Sequence, residues 1–189
     1  MLDERSEIAE QPMEHGPAHD PVVMVVVGNP QAASRTAALA VHVAQEVAEI
    51  VGPGTGVELV ELAPLAAELA SWGDPPVAAV KQQVLRASML VVASPTYKAS
   101  FTGLVKLFLD QFGHGELGGL PTVPVMTGGG MQHALAVEVH LKPVLVEIGA
   151  SCPTRGLFVG GPDVDAPDRA VAEWLGESRA VLQRVFMGA

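Results

Sequence analysis

Short, almost purely apolar runs alternate along this chain with longer stretches in which apolar positions recur every three or four residues. The run 22–27, VVMVVV, is too short for a helix and suits a strand covered on both faces. From 34 to 51, Leu39, Val43, Val47 and Ile50 share one face, with Gln45, Glu46 and Glu49 on the other, which predicts a helix. The stretch 57–62 alternates apolar and polar residues and reads as an edge strand. A connection over 63–76 ends in Asp74-Pro75-Pro76, and a helix over 77–87 precedes a third strand at 89–93. The same logic predicts a helix at 101–112, a strand at 123–127 and a helix at 132–148 interrupted by Pro143. A strand about 157–159 and a closing helix at 168–186 complete the pattern.

Five strands separated by helices require right-handed crossovers, hence a parallel sheet with helices on both faces. The expected fold is α/β, a flavodoxin-like three-layer sandwich with strand order 2-1-3-4-5. Ligands in such sheets bind beyond the carboxyl ends of the strands, where the order reverses between strands 1 and 3. The loops after strands 1, 3 and 4 therefore carry the chemistry.

The first of these loops, Gly28-Asn29-Pro30-Gln31-Ala32-Ala33-Ser34-Arg35-Thr36, has one glycine and matches neither a dinucleotide fingerprint nor a Walker loop. It enters a helix N-terminus with hydroxyls at Ser34 and Thr36, amides at Asn29 and Gln31, and the guanidinium of Arg35. Either it seats a phosphate, or Ser34 is a plain N-cap and Arg35 a solvated side chain. The second, Ser94-Pro95-Thr96-Tyr97-Lys98, bends at Pro95 and holds the only tyrosine. That ring either faces a flat ligand or packs over the sheet end. The third, Thr127-Gly128-Gly129-Gly130, allows close backbone approach or simply a flexible link.

Composition narrows the partners. A net charge of −10, with Lys and Arg scattered, excludes broad nucleic-acid or anionic-membrane binding. No apolar stretch approaches the ~20 residues a membrane helix needs. The first 20 residues, rich in Pro, Glu and His and lacking an apolar segment, read as a disordered tail ahead of a domain over 21–189. One cysteine, Cys152, suggests a reducing compartment and a cytoplasmic location. None of the six histidines stands at metal-ligand spacing, so no metal site is expected.

The stretch Ser94-Pro95-Thr96-Tyr97-Lys98-Ala99-Ser100-Phe101-Thr102-Gly103-Leu104-Val105-Lys106 through Asp110 resembles the NADPH-dependent FMN reductase family. It is most similar to the branch serving two-component alkanesulfonate-type monooxygenases. Thr127-Gly128-Gly129, His133, Leu135-Ala136-Val137-Glu138 and Leu141-Lys142-Pro143-Val144-Leu145 resemble the same branch, and the likeness spans roughly residues 22–160. It implies FMN as flavin, NADPH as hydride donor, a monooxygenase as recipient of reduced flavin, and a homodimer or homotetramer. It also implies phosphate contacts from Asn29, Gln31, Ser34, Arg35 and Thr36. Contacts to the isoalloxazine would come from Pro95, Thr96, Tyr97, Lys98, Thr127, Gly128 and Gly129. Asn29 and Gln31 stand where the family usually has serine and arginine, which leaves Arg35 as the phosphate's cation and suits a loosely held, released flavin.

Hydride transfer belongs to the two nucleotides, so no catalytic side chain is expected; the chain aligns, shields and stabilises developing charge. His133 is placed near the ring or in a cap. The helices at 101–112 and 132–148 are apolar around too much of their circumference for one buried face, and predict a homo-oligomer built on them. Two alternatives stay open: a quinone- or azo-type reductase that keeps its FMN, and a non-catalytic flavodoxin-like electron carrier. A receiver domain is excluded, because Gly28-Asn29 and Ser94-Pro95 occupy the positions of its acids.

Overall fold

The computed structural model describes residues 20–187. The tail expected over the first 20 residues lies, but for Asp20, outside them. Strands β1 (Val22–Val27), β2 (Gly56–Glu61), β3 (Met89–Pro95), β4 (Thr122–Gly128) and β5 (Leu157–Gly160) form one sheet in the order β2-β1-β3-β4-β5. Every pairing is parallel, as the crossovers require. The helices are α1 (Arg35–Val51), α2 (Pro75–Arg86), α3 (Gly103–Leu109), α4 (Lys142–Glu147) and α5 (Asp168–Met187).

Alternation along the central strands divides the core into two layers. Val23, Val25, Val27, Val91, Ala93 and Val125 face α1 and α5, where Leu39, Val43, Val47 and Trp174 complete one buried cluster. Met24, Val26, Leu90, Val92 and Met126 face the other way, onto Val84 of α2, Phe108 of α3 and Leu145 of α4. Trp174 is fully buried, and its indole N–H donates to the Arg155 carbonyl at 2.9 Å, so the ring enters the core without stranding a polar group.

The structure moves the expected boundaries by more than one residue in four places. Strand β3 does not stop at residue 93: Pro95 pairs with Thr127, and the Thr96 N–H donates to the Thr127 carbonyl at 2.7 Å. Proline is tolerated because of its position. Gly28 N–H donates to Ala93 O, so the next ladder donor on that side would be residue 95; the Gly28 carbonyl accepts instead from the Thr102 hydroxyl at 2.5 Å. Helix α2 starts at Pro75, since both prolines fit a first turn that needs no N–H partners.

Helix α3 covers 103–109 rather than 101–112. Thr102 caps its start by accepting from Val105 N–H, and Phe112 N–H reaches only to Leu109 O in a tight closing turn. The stretch 132–148 is three pieces: a tight turn at Met131–His133, a wide π turn at Val137–Leu141, and α4. Pro143, in the first turn of α4, cannot donate back to residue 139, and the backbone resolves this by widening the preceding turn.

Candidate active site

The C-terminal ends of β1, β3 and β4 surround a cleft of about 870 Å³, a size suited to a small ligand or cofactor. It is lined by eleven of the twelve residues singled out from the sequence: Asn29, Gln31, Ser34, Arg35 and Thr36 at one end, and Pro95, Thr96, Tyr97, Thr127, Gly128 and Gly129 at the other. Lys98 is the exception. It does not line the cleft, because residues 97–100 fold into a two-residue reversal with Lys98 at φ 51° and Ala99 at φ 67°.

At the first end, Gly28 passes so close to α3 that a Cβ there would overlap Val105 Cγ2 and stand 3.0 Å from Thr102 Oγ1. The loop then organises itself. Asn29 Oδ1 accepts from Gln31 N–H at 2.9 Å, and Asn29 Nδ2 donates to Thr36 Oγ1 at 3.3 Å. Ala33, in the left-handed region at φ 50°, gives its N–H to Glu61 at 2.9 Å. Ser34 Oγ accepts from Ala37 N–H at 3.2 Å and caps α1. The N–H groups of Ala32, Ser34, Arg35 and Thr36 have no partner among the described residues. They lie at the positive end of a 17-residue helix. The Arg35 guanidinium is bound through one nitrogen to both carboxylate oxygens of Asp165, at 3.0 and 3.2 Å.

At the second end the backbone is closely packed and bonded to itself. Tyr97 and Ser100 exchange two hydrogen bonds, at 2.8 and 3.1 Å, and leave the tyrosine 51% exposed. Its N–H is spent on Ser100 O and is not offered to a ligand. A Cβ on Gly128 would meet Phe158 Cζ at 2.8 Å and Thr96 Oγ1 at 3.5 Å. Gly130 comes so near Gly160 that a Cβ on Gly160 would stand 2.9 Å from the Gly130 carbonyl group. The Thr96 hydroxyl is buried with no hydrogen-bond partner, and Gly129 N–H is unpartnered among the described residues. Thr36 and Thr127 join the two ends through a buried contact between their hydroxyls at 2.8 Å. They act as a strut as much as a lining.

A second hollow, of about 440 Å³, lies beside β5, but the arginines in it are engaged, Arg155 by Glu177 at 2.7 Å and Arg169 by Asp163 at 3.6 Å. His133 sits in the tight turn at 131–133 and does not line the cleft. No group of three or more His, Cys, Asp or Glu among the described residues could hold a metal ion.

The geometry fits a ligand with an anionic group at one end and a flat polar face at the other. The unbonded amides of α1 answer the first, while the partnerless Thr96 hydroxyl and the Cβ-free wall at Gly128 answer the second. The family model for NADPH-dependent FMN reductases matches residues 21–163. The chain belongs to the NADPH-dependent FMN reductase family. It is an oxidoreductase of the FMN reductase kind.

Relatives in this family include the FMN reductase (NADPH) of Escherichia coli, 31% identical over 147 residues, which are 75% of this chain and 74% of that protein. The NADH-dependent FMN reductase SfnE of Pseudomonas putida is 31% identical over 172 residues, 88% of each. Some alignments are shorter: that with an FMN reductase (NADPH) of Pseudomonas putida, 38% identical, covers 50% of this chain and 48% of that protein. Among solved structures, an oxidoreductase from Corynebacterium diphtheriae superposes with a TM-score of 0.74 at 27% identity, covering 87% of this chain and 98% of that one. An NADH:FMN oxidoreductase named EMOB, in its apo form, gives 0.66 at 26% identity, covering 83% and 89%.

Cleft residues of this family member that the sequence did not single out come from two places. Ala32 and Ala33 sit among the residues considered and lack functional side chains. Gly161, Pro162, Val164 and Asp165 follow β5. The signal for the second group was present in Gly160-Gly161-Pro162-Asp163, a glycine-proline turn just beyond a strand end, but strand order alone directed attention to the loops after strands 1, 3 and 4.

Proposed function

We propose that this chain, acting over residues 21–189 as one flavin-binding domain, reduces FMN with NADPH in the cleft described above. The N–H groups of Ala32, Ser34, Arg35 and Thr36 hold the phosphate, with the side chains of Asn29, Gln31 and Ser34 beside them. Pro95, Thr96, Tyr97, Gly128 and Gly129 face the ring, and Thr127 braces Thr36 from below. Bound FMN supplies the hydride acceptor, and the reduced nicotinamide supplies the hydride. The chain's own part is orientation and electrostatics. The Gly129 N–H and the Thr96 hydroxyl are the donors available to negative charge at the ring, and the two turns at 97–100 and 128–130 keep water from one side of it.

The observation carrying this reading is the pairing, in one cleft, of an open helix N-terminus with a buried hydroxyl that has no partner among the described residues. NADPH is preferred over NADH on the family's description and on the Escherichia coli relative's name, although SfnE is named for NADH. Reduced flavin then leaves for a partner monooxygenase. Leu107, Leu135, Val139 and Val146, at 40%, 72%, 57% and 54% exposure, form unpartnered apolar positions on and around α3 and α4. They support a homodimer or homotetramer through the segments 101–112 and 132–148. A cytoplasmic location is part of the same reading and rests on the single cysteine; among the described residues no helix is long and apolar enough to cross a membrane.

Purified protein should lose its yellow colour on desalting and then oxidise NADPH with saturable dependence on added FMN, at a higher kcat/KM than with NADH. Absence of FMN-stimulated oxidation with either nucleotide would overturn the reading, and colour that persists would turn it toward an FMN-retaining reductase. A monomer in sedimentation at micromolar concentration would remove the oligomer.

A further inference from the structure

Among the cleft-lining residues Arg35 is the one cation and Asp165 the one acid, and they are bound to each other. The neighbouring carboxylates have other partners. Asp163 lies 3.6 Å from Arg169, Asp168 lies 3.6 Å from His42, and Glu61 takes the Ala33 N–H. Asp165 is thus the cleft-lining carboxylate, and it rests directly on the one cation that lines the cleft.

We propose that Asp165 sets the affinity for phosphorylated flavin by occupying Arg35, so that FMN is held weakly enough to be released after reduction. This rests on the reading that the cleft binds FMN. A phosphate monoester carries close to two negative charges at neutral pH. It can meet Arg35 only by displacing the Asp165 carboxylate or by sitting beside it, and either arrangement costs affinity. A guanidinium has five N–H donors, so one nitrogen bound to Asp165 leaves donors free for sharing rather than none. Arg35 and Asp165 are 67% and 64% exposed, and solvent screens the pair. The effect is hence a moderate adjustment of affinity and not an abolition of binding. Riboflavin lacks the phosphate and should not sense Asp165.

The test is the dissociation constant of FMN and of riboflavin, read by quenching of flavin fluorescence, for the full chain and for D165N and D165A. Both variants should tighten FMN about threefold, the scale on which exposed ion pairs act, and leave riboflavin unchanged. The gain should be present at roughly 0.01 M salt and vanish near 1 M, where the Debye length falls from about 30 Å to about 3 Å. An equal change for both flavins, an unchanged FMN affinity or a weaker one would overturn the proposal, since a merely structural Asp165 cannot discriminate by phosphate. Gly129→Leu separates this from the underlying reading. Gly129 lines the cleft and a Cβ there meets no protein atom within 4 Å, so a leucine is accommodated by the fold and should obstruct both flavins at the ring end. If G129L binds FMN as the parent does, the cleft is not the flavin site. If G129L excludes flavin while D165N keeps the parental ratio, the site stands and the role of Asp165 falls.

Discussion

The two ends of the cleft solve opposite problems. At the β3–β4 end, backbone runs against backbone, so position is enforced by volume: Gly128 has no room for a Cβ beside Phe158, and Gly160 none beside Gly130. At the α1 end the loop is held by hydrogen bonds and an ion pair, Asn29 to Gln31, Glu61 to Ala33 and Asp165 to Arg35, while four of its amides stay open among the described residues. One end is specified by shape and the other by competing charges and hydrogen bonds. A ring needs the first kind of site. On the proposed reading, the phosphate of a released flavin is served by the second.

The sharpest break of this contrast is at Gly128. Gly128→Val should lower FMN-dependent NADPH oxidation about a hundredfold, the scale on which misplacing a reacting group acts, with the far-ultraviolet circular dichroism retained. Parental turnover would mean that shape does not govern the ring end. Next is Thr102, whose hydroxyl caps α3 and satisfies the Gly28 carbonyl that Pro95 cannot reach. Thr102→Val leaves both groups unpaired in a buried place, and should cost about 2 kcal/mol in urea unfolding. Ser34→Ala, the corresponding cap on α1, should cost only about 1 kcal/mol because water reaches that end. A reversed order of the two costs would contradict the contrast.

Arg35→Ala should weaken FMN about threefold and leave riboflavin unchanged, a modest loss because exposed ion pairs are worth about 1 kcal/mol or less. The smallest effect is expected at neither end. Burial pushes the Cys152 thiol up to about 11, with Lys142 pulling down and Glu138 up. The folded state thus holds this proton more tightly than the unfolded one. The stability it contributes is intact below the unfolded thiol's value, roughly 8.5, and is lost as pH rises toward 11. Alkylation of the native protein at pH 8 should be slow and leave flavin reduction unaltered. Rapid modification with loss of activity would tie Cys152 to the cleft.

Much of this was legible in residue order. The Val-rich run of β1 and the alternation of β2 specify a central and an edge strand, and the parallel order follows from the crossovers. Eleven of the twelve residues singled out from the sequence line one cleft for the same reason, because strand ends at a switch point converge. What stayed hidden depends on distant partners. Lys98 leaves the cleft because it and Ala99 accept positive φ to let Tyr97 and Ser100 pair, which no local propensity predicts for such residues. Pro95 remains in its strand only because Thr102 supplies the missing donor. Asp165 meets Arg35 across 130 positions of chain. Periodicity also cannot foresee how the backbone will absorb Pro143, and a widened turn was one outcome among several.

The most direct test of the central claim is a crystal structure of the chain grown with FMN. The account predicts the phosphate against the Ser34, Arg35 and Thr36 amides and the ring between the 97–100 turn and Gly128–Gly129. Flavin density elsewhere, for instance in the hollow beside β5, with this cleft filled by solvent, would contradict it.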